Sequence, residues 1–183
     1  MNALLQLSRL IDATTVRIGK ASIWLVLTIV IISSGNALMR YAFNFSSNAL
    51  LEVQWYLFGL LFMACAGYTL LRNEHVRIDL ISNRLSRRGQ TWIDILGIVF
   101  FLLPMATAIM VLSWPVFMHA WASNEMSNSA GGLPMWPARV LIPAGFLLLI
   151  LQALSELIKR IGFVQRLCDD PTEKKSKLSA EEQ

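Results

Sequence analysis

Residues 95–118 read ILGIVFFLLPMATAIMVLSWPVFM, 24 positions without an Asp, Glu, Lys or Arg. A helix rises 1.5 Å per residue, so roughly 20 apolar residues cross a hydrocarbon layer about 30 Å thick. Two more charge-free runs, 21–39 and 53–71, hold 19 residues each. A fourth, 140–155, holds 16 and reaches spanning length once residues 133–140 or 156–158 add a turn. The chain reads as an all-α membrane protein with four transmembrane helices, at about 21–41, 50–71, 93–118 and 137–160.

The totals agree. Of 183 residues, 55% are hydrophobic and 15% charged, where a soluble domain carries about 25% charge. Mean hydropathy is +0.53. Four spans leave no room for a sizeable soluble domain. Residues 1–165 form one membrane domain, and 166–183 read as a disordered cytoplasmic tail, charged and without periodicity. The sequence pI of 9.4 belongs to membrane topology and not to nucleic acid. Two cysteines, Cys65 in a span and Cys168 in the tail, indicate neither a disulfide nor a metal site. No cofactor is indicated. The first apolar run starts only at Ala21 and no small-x-small cleavage site follows it, so it reads as a retained span.

Basic residues set the orientation. Arg9, Arg17 and Lys20 precede span one, five arginines lie in the 72–94 segment, and six Lys or Arg lie at or beyond the end of span four. The alternate side holds only Arg40 and Arg139. Translocation of basic residues is disfavoured. Both termini and the 72–94 segment are therefore expected on the cytoplasmic face of the membrane.

Two interfacial amphipathic helices are expected beside the spans. Residues 2–19 place Leu4, Leu7 and Ile11 at helical spacing, with Leu10 beside them and Arg9 and Arg17 facing lipid phosphates. Residues of about 75–88 place Ile78, Ile81 and Leu85 opposite Arg84, Arg87 and Arg88, with an end at Gly89. Pro104 should kink span three, and Pro143 span four. The 119–137 loop should be irregular at its Gly131-Gly132 tip.

Within the spans, Asn36 needs a hydrogen-bond partner and is placed toward protein. Ser33 and Ala37 form a small-xxx-small pair, and Ala64, Cys65, Ala66 and Gly67 form a small patch that invites another helix. Arg40 and Glu52 stand near the tips of a short hairpin and are expected to face each other as a partly hydrated ion pair or to meet a partner subunit. No charge lies deep in a span, where ion and proton pathways usually mark themselves. His75 and His119 lie a membrane thickness apart, which excludes a bis-histidine haem within one copy. Nucleophile elbows, phosphate-cradling loops and zinc spacings are absent. The chain is not expected to be an enzyme. It reads as an accessory subunit that braces a larger partner. Two other readings are a self-sufficient oligomeric transporter or channel lined by Asn36, Gln54, Ser113 and Gln152, and a membrane anchor for a respiratory enzyme.

Residues 49–52, Ala-Leu-Leu-Glu, open span two, and its far end runs Leu71-Arg72-Asn73-Glu74-His75-Val76-Arg77-Ile78-Asp79-Leu80. This resembles the small membrane subunit of tripartite ATP-independent periplasmic (TRAP) transporters, where an acidic residue at the start of span two and a His-Val-x-Val/Ile-Asp motif after it recur. Gly131-Gly132-Leu133-Pro134-Met135-Trp136 and Pro143-Ala144-Gly145-Phe146 also resemble that family's approach to span four, with a small departure in local context. The resemblance covers most of the chain.

It implies a subunit that scaffolds a large membrane subunit, with a periplasmic binding protein as the third component. Such transporters import carboxylated organic solutes by symport, on a sodium gradient. Glu52 would be a structural or docking residue on the outer face. Glu74, His75, Arg77 and Asp79 would form a hydrogen-bonded cluster at the inner end of span two. None would be catalytic, and the substrate and sodium sites would belong to the large subunit.

Overall fold

The computed structural model describes residues 2–45, 47–73 and 86–165. It contains α1 (Asn2–Phe43), α2 (Asn48–Arg72), α3 (Arg87–Gly97), a π-helical turn (Ile98–Leu102), α4 (Leu103–Ala122) and α5 (Trp136–Val164). The turn and the two helices beside it form one continuous rod, which makes four helices long and apolar enough to cross a membrane among the described residues.

Three asparagines end these rods. Asn44, Asn73 and Asn124 follow α1, α2 and α4 with φ of 51°, 61° and 46°. Asparagine tolerates this left-handed conformation better than other side chains with a Cβ. The Asn73 N–H returns to the Leu70 carbonyl at 3.2 Å and caps α2.

α5 is the centre. It packs against α1, α2, α3 and α4, while α1 and α2 pack together. Small residues set the spacing. A Cβ on Gly145 of α5 would fall 2.5 Å from the Met63 Cβ of α2. One on Gly67 would touch Gln152, Leu148 and Thr15, each at 3.6 Å, so Gly67 lies where α1, α2 and α5 meet. Here the small patch of span two receives two helices. Ala106, Ala120 and Ala153 are fully buried. Within lipid, helices associate through such close approach and not through a hydrophobic drive. Leu70, Ile95, Ile98, Ala153 and Leu157 form an aliphatic knot joining α2, α3, the π turn and α5.

A π turn lies just before Pro104, where the sequence leads one to expect a kink. Proline offers no N–H and its ring crowds the carbonyl four residues earlier. The turn widens just upstream, and the Leu103 N–H bonds the Ile98 carbonyl, five residues back. Pro143 is buried inside α5, which stays helical through it.

Two expectations need correction. The N-terminal segment is no separate surface helix: it is continuous with span one, and α1 runs 42 residues, about 63 Å. Its polar face explains why. Ser8, Thr15 and Ser22 are buried, and Leu4, Leu7 and Leu10 are exposed. The inward seam is polar, the reverse of a soluble amphipathic helix. Gly89 also ends no helix. It lies in the first turn of α3, where its N–H bonds the Ser86 hydroxyl at 3.3 Å. Most of the expected 75–88 helix lies outside the described residues.

Candidate functional site

Two polar clusters occupy opposite ends of the bundle. One end carries the α1–α2 turn and the 123–135 segment and is called the loop end. The other carries the start of α1 and the end of α5 and is called the basic end.

At the loop end, Asn48, Glu52 and Tyr56 stand four residues apart on one face of α2. Each holds the 127–135 segment. The Glu52 carboxylate accepts from the Ser127 hydroxyl through Oε1 and from the Leu133 N–H through Oε2, the latter at 2.7 Å. The Asn48 amide donates to the Ala130 carbonyl at 3.3 Å, and the Tyr56 hydroxyl donates to the Pro134 carbonyl at 3.1 Å. The segment closes as a small hairpin whose exposed tip is made of turns and bends, as expected. Met126 and Pro134 form an antiparallel bridge, and the Ser127 N–H bonds the Leu133 carbonyl at 2.9 Å. Gly131 has φ of +72°, and a Cβ on Gly132 would lie 2.7 Å from the Ser127 Cβ. The adjacent glycines therefore answer two separate needs, a left-handed turn and a close approach.

Glu125 fixes the hairpin to α5. The Arg139 guanidinium meets its carboxylate with two parallel bonds, Nη1 to Oε2 at 2.6 Å and Nη2 to Oε1 at 2.5 Å. Trp121 and Trp136 meet edge to face at 4.7 Å across the same junction. The expected Arg40–Glu52 pair does not form: both carboxylate oxygens of Glu52 are taken by the hairpin, and Arg40 is exposed.

At the basic end, α5 presents Gln152, Ser155, Glu156, Lys159 and Arg160 on one face. The Thr15 hydroxyl of α1 donates to Gln152 Oε1 at 2.7 Å. Asp12 Oδ1 accepts from Gln152 Nε2 at 2.9 Å and from the Ser155 hydroxyl at 2.7 Å, and its Oδ2 accepts from Lys159 Nζ at 2.9 Å. The Ser8 and Ser155 hydroxyls are 2.7 Å apart. Lys159 also donates to Glu156 Oε1 at 2.6 Å. Arg160 donates from Nη1 to Asp94 Oδ2 of α3 and lies beside Glu156, with Nε 3.9 Å from Oε2. Gln152, Ser155 and Glu156 are almost fully buried.

Sequence reasoning missed this network. The middle of the bundle is free of charge as expected, but its basic end is not. One signal was available: positions 152, 155, 156, 159 and 160 fall at helical spacing on an otherwise apolar helix, and Ser8, Asp12 and Thr15 repeat the pattern on α1. Asn36 is turned toward protein as expected, at 8% exposure, and its Oδ1 has no hydrogen-bond partner. Ala37 is exposed, so the Ser33–Ala37 pair does not make a close helix contact within this chain. His75, Arg77 and Asp79 lie outside the described residues.

Neither cluster has the form of a reaction centre. The carboxylates hold hydroxyls, amides and cations of the same chain. A match to a family model reaches further than the geometry alone. Residues 29–162 match the model described as Tripartite ATP-independent periplasmic transporters, DctQ component. The chain belongs to the DctQ family. The match takes in the Glu52 cradle and the α5 network but not Asp12. No curated protein and no solved structure matches the chain. A DctQ component is the small membrane subunit of such a transporter, and its family is a transport family and not an enzyme family.

Proposed function

We propose that this DctQ component is a brace. It holds the large membrane subunit of its transporter in place while that subunit moves the solute, and it sits in a bacterial inner membrane with both termini in the cytoplasm. The carrying observation is that the polar side chains of the α1–α5 seam are tied to one another. Gln152 is held by Thr15 and Asp12, and the Ser113 hydroxyl donates to the Met110 carbonyl at 3.1 Å. Two of the residues that a self-sufficient channel would need are thus committed to structure.

The charge distribution supports the orientation, since among the described residues Arg40 and Arg139 are the only Lys or Arg toward the loop end. The hairpin at 123–135 then faces the periplasm. Held by Glu52, Tyr56 and Arg139, it offers a preformed surface to a periplasmic binding protein. The family resemblance supports carboxylated organic solutes as cargo and a sodium gradient as the drive, both acting through the large subunit.

The test is deletion. Cells that keep the large subunit and the binding protein but lack this chain should lose uptake, and a tagged chain should recover the large subunit from detergent extracts. Full uptake without the chain defeats the proposal. Orientation is tested separately by impermeant thiol labelling at position 129, which should succeed from the periplasmic side.

A further inference from the structure

Gln6, Arg9, Ala13, Arg17, Lys20 and Trp24 are all exposed and follow one another along α1 at spacings of three and four. That spacing keeps residues on one side of a helix. The face points away from the inward seam, where Ser8, Thr15 and Ser22 are buried. It carries three cations and no acid. Asp12, the one carboxylate of α1, is turned to α5, where Gln152, Ser155 and Lys159 take both its oxygens. None of the three cations forms an ion pair among the described residues.

Depth sets this face apart. Going from the middle of the bundle to its basic end, the first cation of α5 is Lys159, and it pairs with Asp12. Arg17 and Lys20 lie beyond Asp12 toward the loop end, by about 7.5 and 12 Å at 1.5 Å per residue. Thr15 bonds Gln152, so Lys20 stands level with the apolar 147–151 stretch of α5. Contact with α2 gives the same order: a Cβ on Gly19 would fall into the Tyr68 ring, one turn before α2 ends at Arg72. A cation facing lipid at such a level is costly unless counter-charge reaches it. Its long side chain reaches outward, or the bilayer surface is drawn in, and in both cases the group it meets is a lipid phosphate. Trp24 fits these surroundings. It is 71% exposed, one turn past Lys20, and an indole favours the headgroup boundary, where its N–H finds an acceptor. A basic face with tryptophan and no acid is the composition of helices that lie against headgroups.

We infer that Arg9, Arg17 and Lys20 bind the phosphate groups of phospholipids in the leaflet at the basic end, anionic lipids in preference to zwitterionic ones, and draw that leaflet's surface in along α1 toward Trp24. The inference stands apart from the brace reading and needs only that the chain spans a membrane. A separate surface helix would hold its cations at the headgroup level. The continuous 42-residue α1 carries two of them deeper.

The test uses the full chain purified in a neutral detergent. Its unfolding midpoint is followed as short-chain phosphatidylglycerol, phosphatidylcholine or inorganic phosphate is added. A lipid that binds the folded chain raises the midpoint with concentration. Phosphatidylglycerol is expected to do so at lower concentration than phosphatidylcholine, and inorganic phosphate to have no such effect. Arg17→Gln with Lys20→Gln should weaken the phosphatidylglycerol response by about 25-fold, about fivefold for each cation removed at an anionic surface. Arg17→Lys with Lys20→Arg keeps both charges and should keep the response. Native mass spectrometry, counting the phosphatidylglycerol retained per chain, reads the same loss without reference to stability. Arg40→Gln removes a cation at the loop end and should change neither measurement. An unchanged response in the double Gln variant overturns the inference, as does an equal loss in Arg40→Gln, an equal effect of the two lipids or an equal effect of inorganic phosphate. An acidic protein surface is the competing occupant: a double Gln variant that keeps its full lipid response but no longer recovers the large subunit from detergent extracts assigns the face to protein and also overturns the inference.

Discussion

Lys159 donates to Asp12 at 2.9 Å, joining helices whose contact residues are 147 positions apart. The same carboxylate accepts from Gln152 and Ser155 through its other oxygen. Asp12 is therefore the shared acceptor that holds the first half of α1 against α5. Without it, three polar groups of α5 lose a partner at once.

Asp12→Ala is expected to destabilise the chain by about 1–3 kcal/mol, the usual cost of leaving buried polar groups unsatisfied. For a chain of this length that corresponds to roughly 2–10 °C in unfolding midpoint. Asp12→Asn should fall between, since it retains an acceptor but loses the charge facing Lys159. Thermal unfolding of the purified chain in detergent reads both. An unchanged midpoint for Asp12→Ala would mean that α1 is held by other contacts.

Arg160 should be the costliest single loss. Its side chain is 6% exposed and lies between Asp94 and Glu156. Removing the cation takes the guanidinium from Asp94 and leaves Glu156 its other cation, Lys159, and breaking such a buried pair costs about 3–5 kcal/mol. Arg160→Ala is expected to lower the yield of folded chain sharply, and Arg160→Lys to lower it less. Equal behaviour of the two in size-exclusion profiles would argue against charge compensation as the role of this residue.

These two residues mark what was not legible in the sequence. The spans were legible, because hydropathy reports on the bilayer directly. The inward placement of Asn36 was, because lipid cannot solvate an amide. The paths of polar residues were not. In water an amphipathic helix buries its apolar face, and that rule placed Leu4, Leu7 and Ile11 inward on a membrane surface. Here the partner of Ser8 is Ser155, and no local pattern announces a contact across that distance. Glu52 was visible as an unusual carboxylate at a helix start. Its partners, Ser127 and Leu133, lie 75 and 81 residues away, so the nearer Arg40 was the natural but mistaken choice.

Glu52 should control the order of the loop-end hairpin. Its oxygens take one side-chain and one main-chain donor, and the Leu133 N–H has its 2.7 Å contact there. Glu52→Ala is expected to raise amide exchange at residues 127–133 by about tenfold or more, as local opening becomes easier, with the helices unaffected. Tyr56→Phe removes only the bond to the Pro134 carbonyl and should have a smaller effect. If exchange at these residues is the same in Glu52→Ala and in the wild type, the hairpin is ordered by its own bridge and by Arg139.

The glycines of the α2–α5 contact should respond by position and not by residue type. At Gly145, a Cβ would lie 2.5 Å from the Met63 Cβ. Neither atom can move without shifting a helix, so Gly145→Ala is expected to cost about 1–3 kcal/mol, as overpacking does. At Gly67, the nearest atoms would be 3.6 Å away, an ordinary contact. Gly67→Ala should be close to neutral, while Gly67→Leu should drive α1 and α5 apart. At Gly97, a Cβ would meet nothing within 4 Å, and Gly97→Ala should stabilise the helix by about 0.5–1 kcal/mol. The order of unfolding midpoints should therefore be Gly97→Ala highest, Gly67→Ala near the wild type and Gly145→Ala lowest. A Gly145→Ala midpoint at or above that of Gly67→Ala would show that α2 and α5 lie farther apart than the 2.5 Å approach requires.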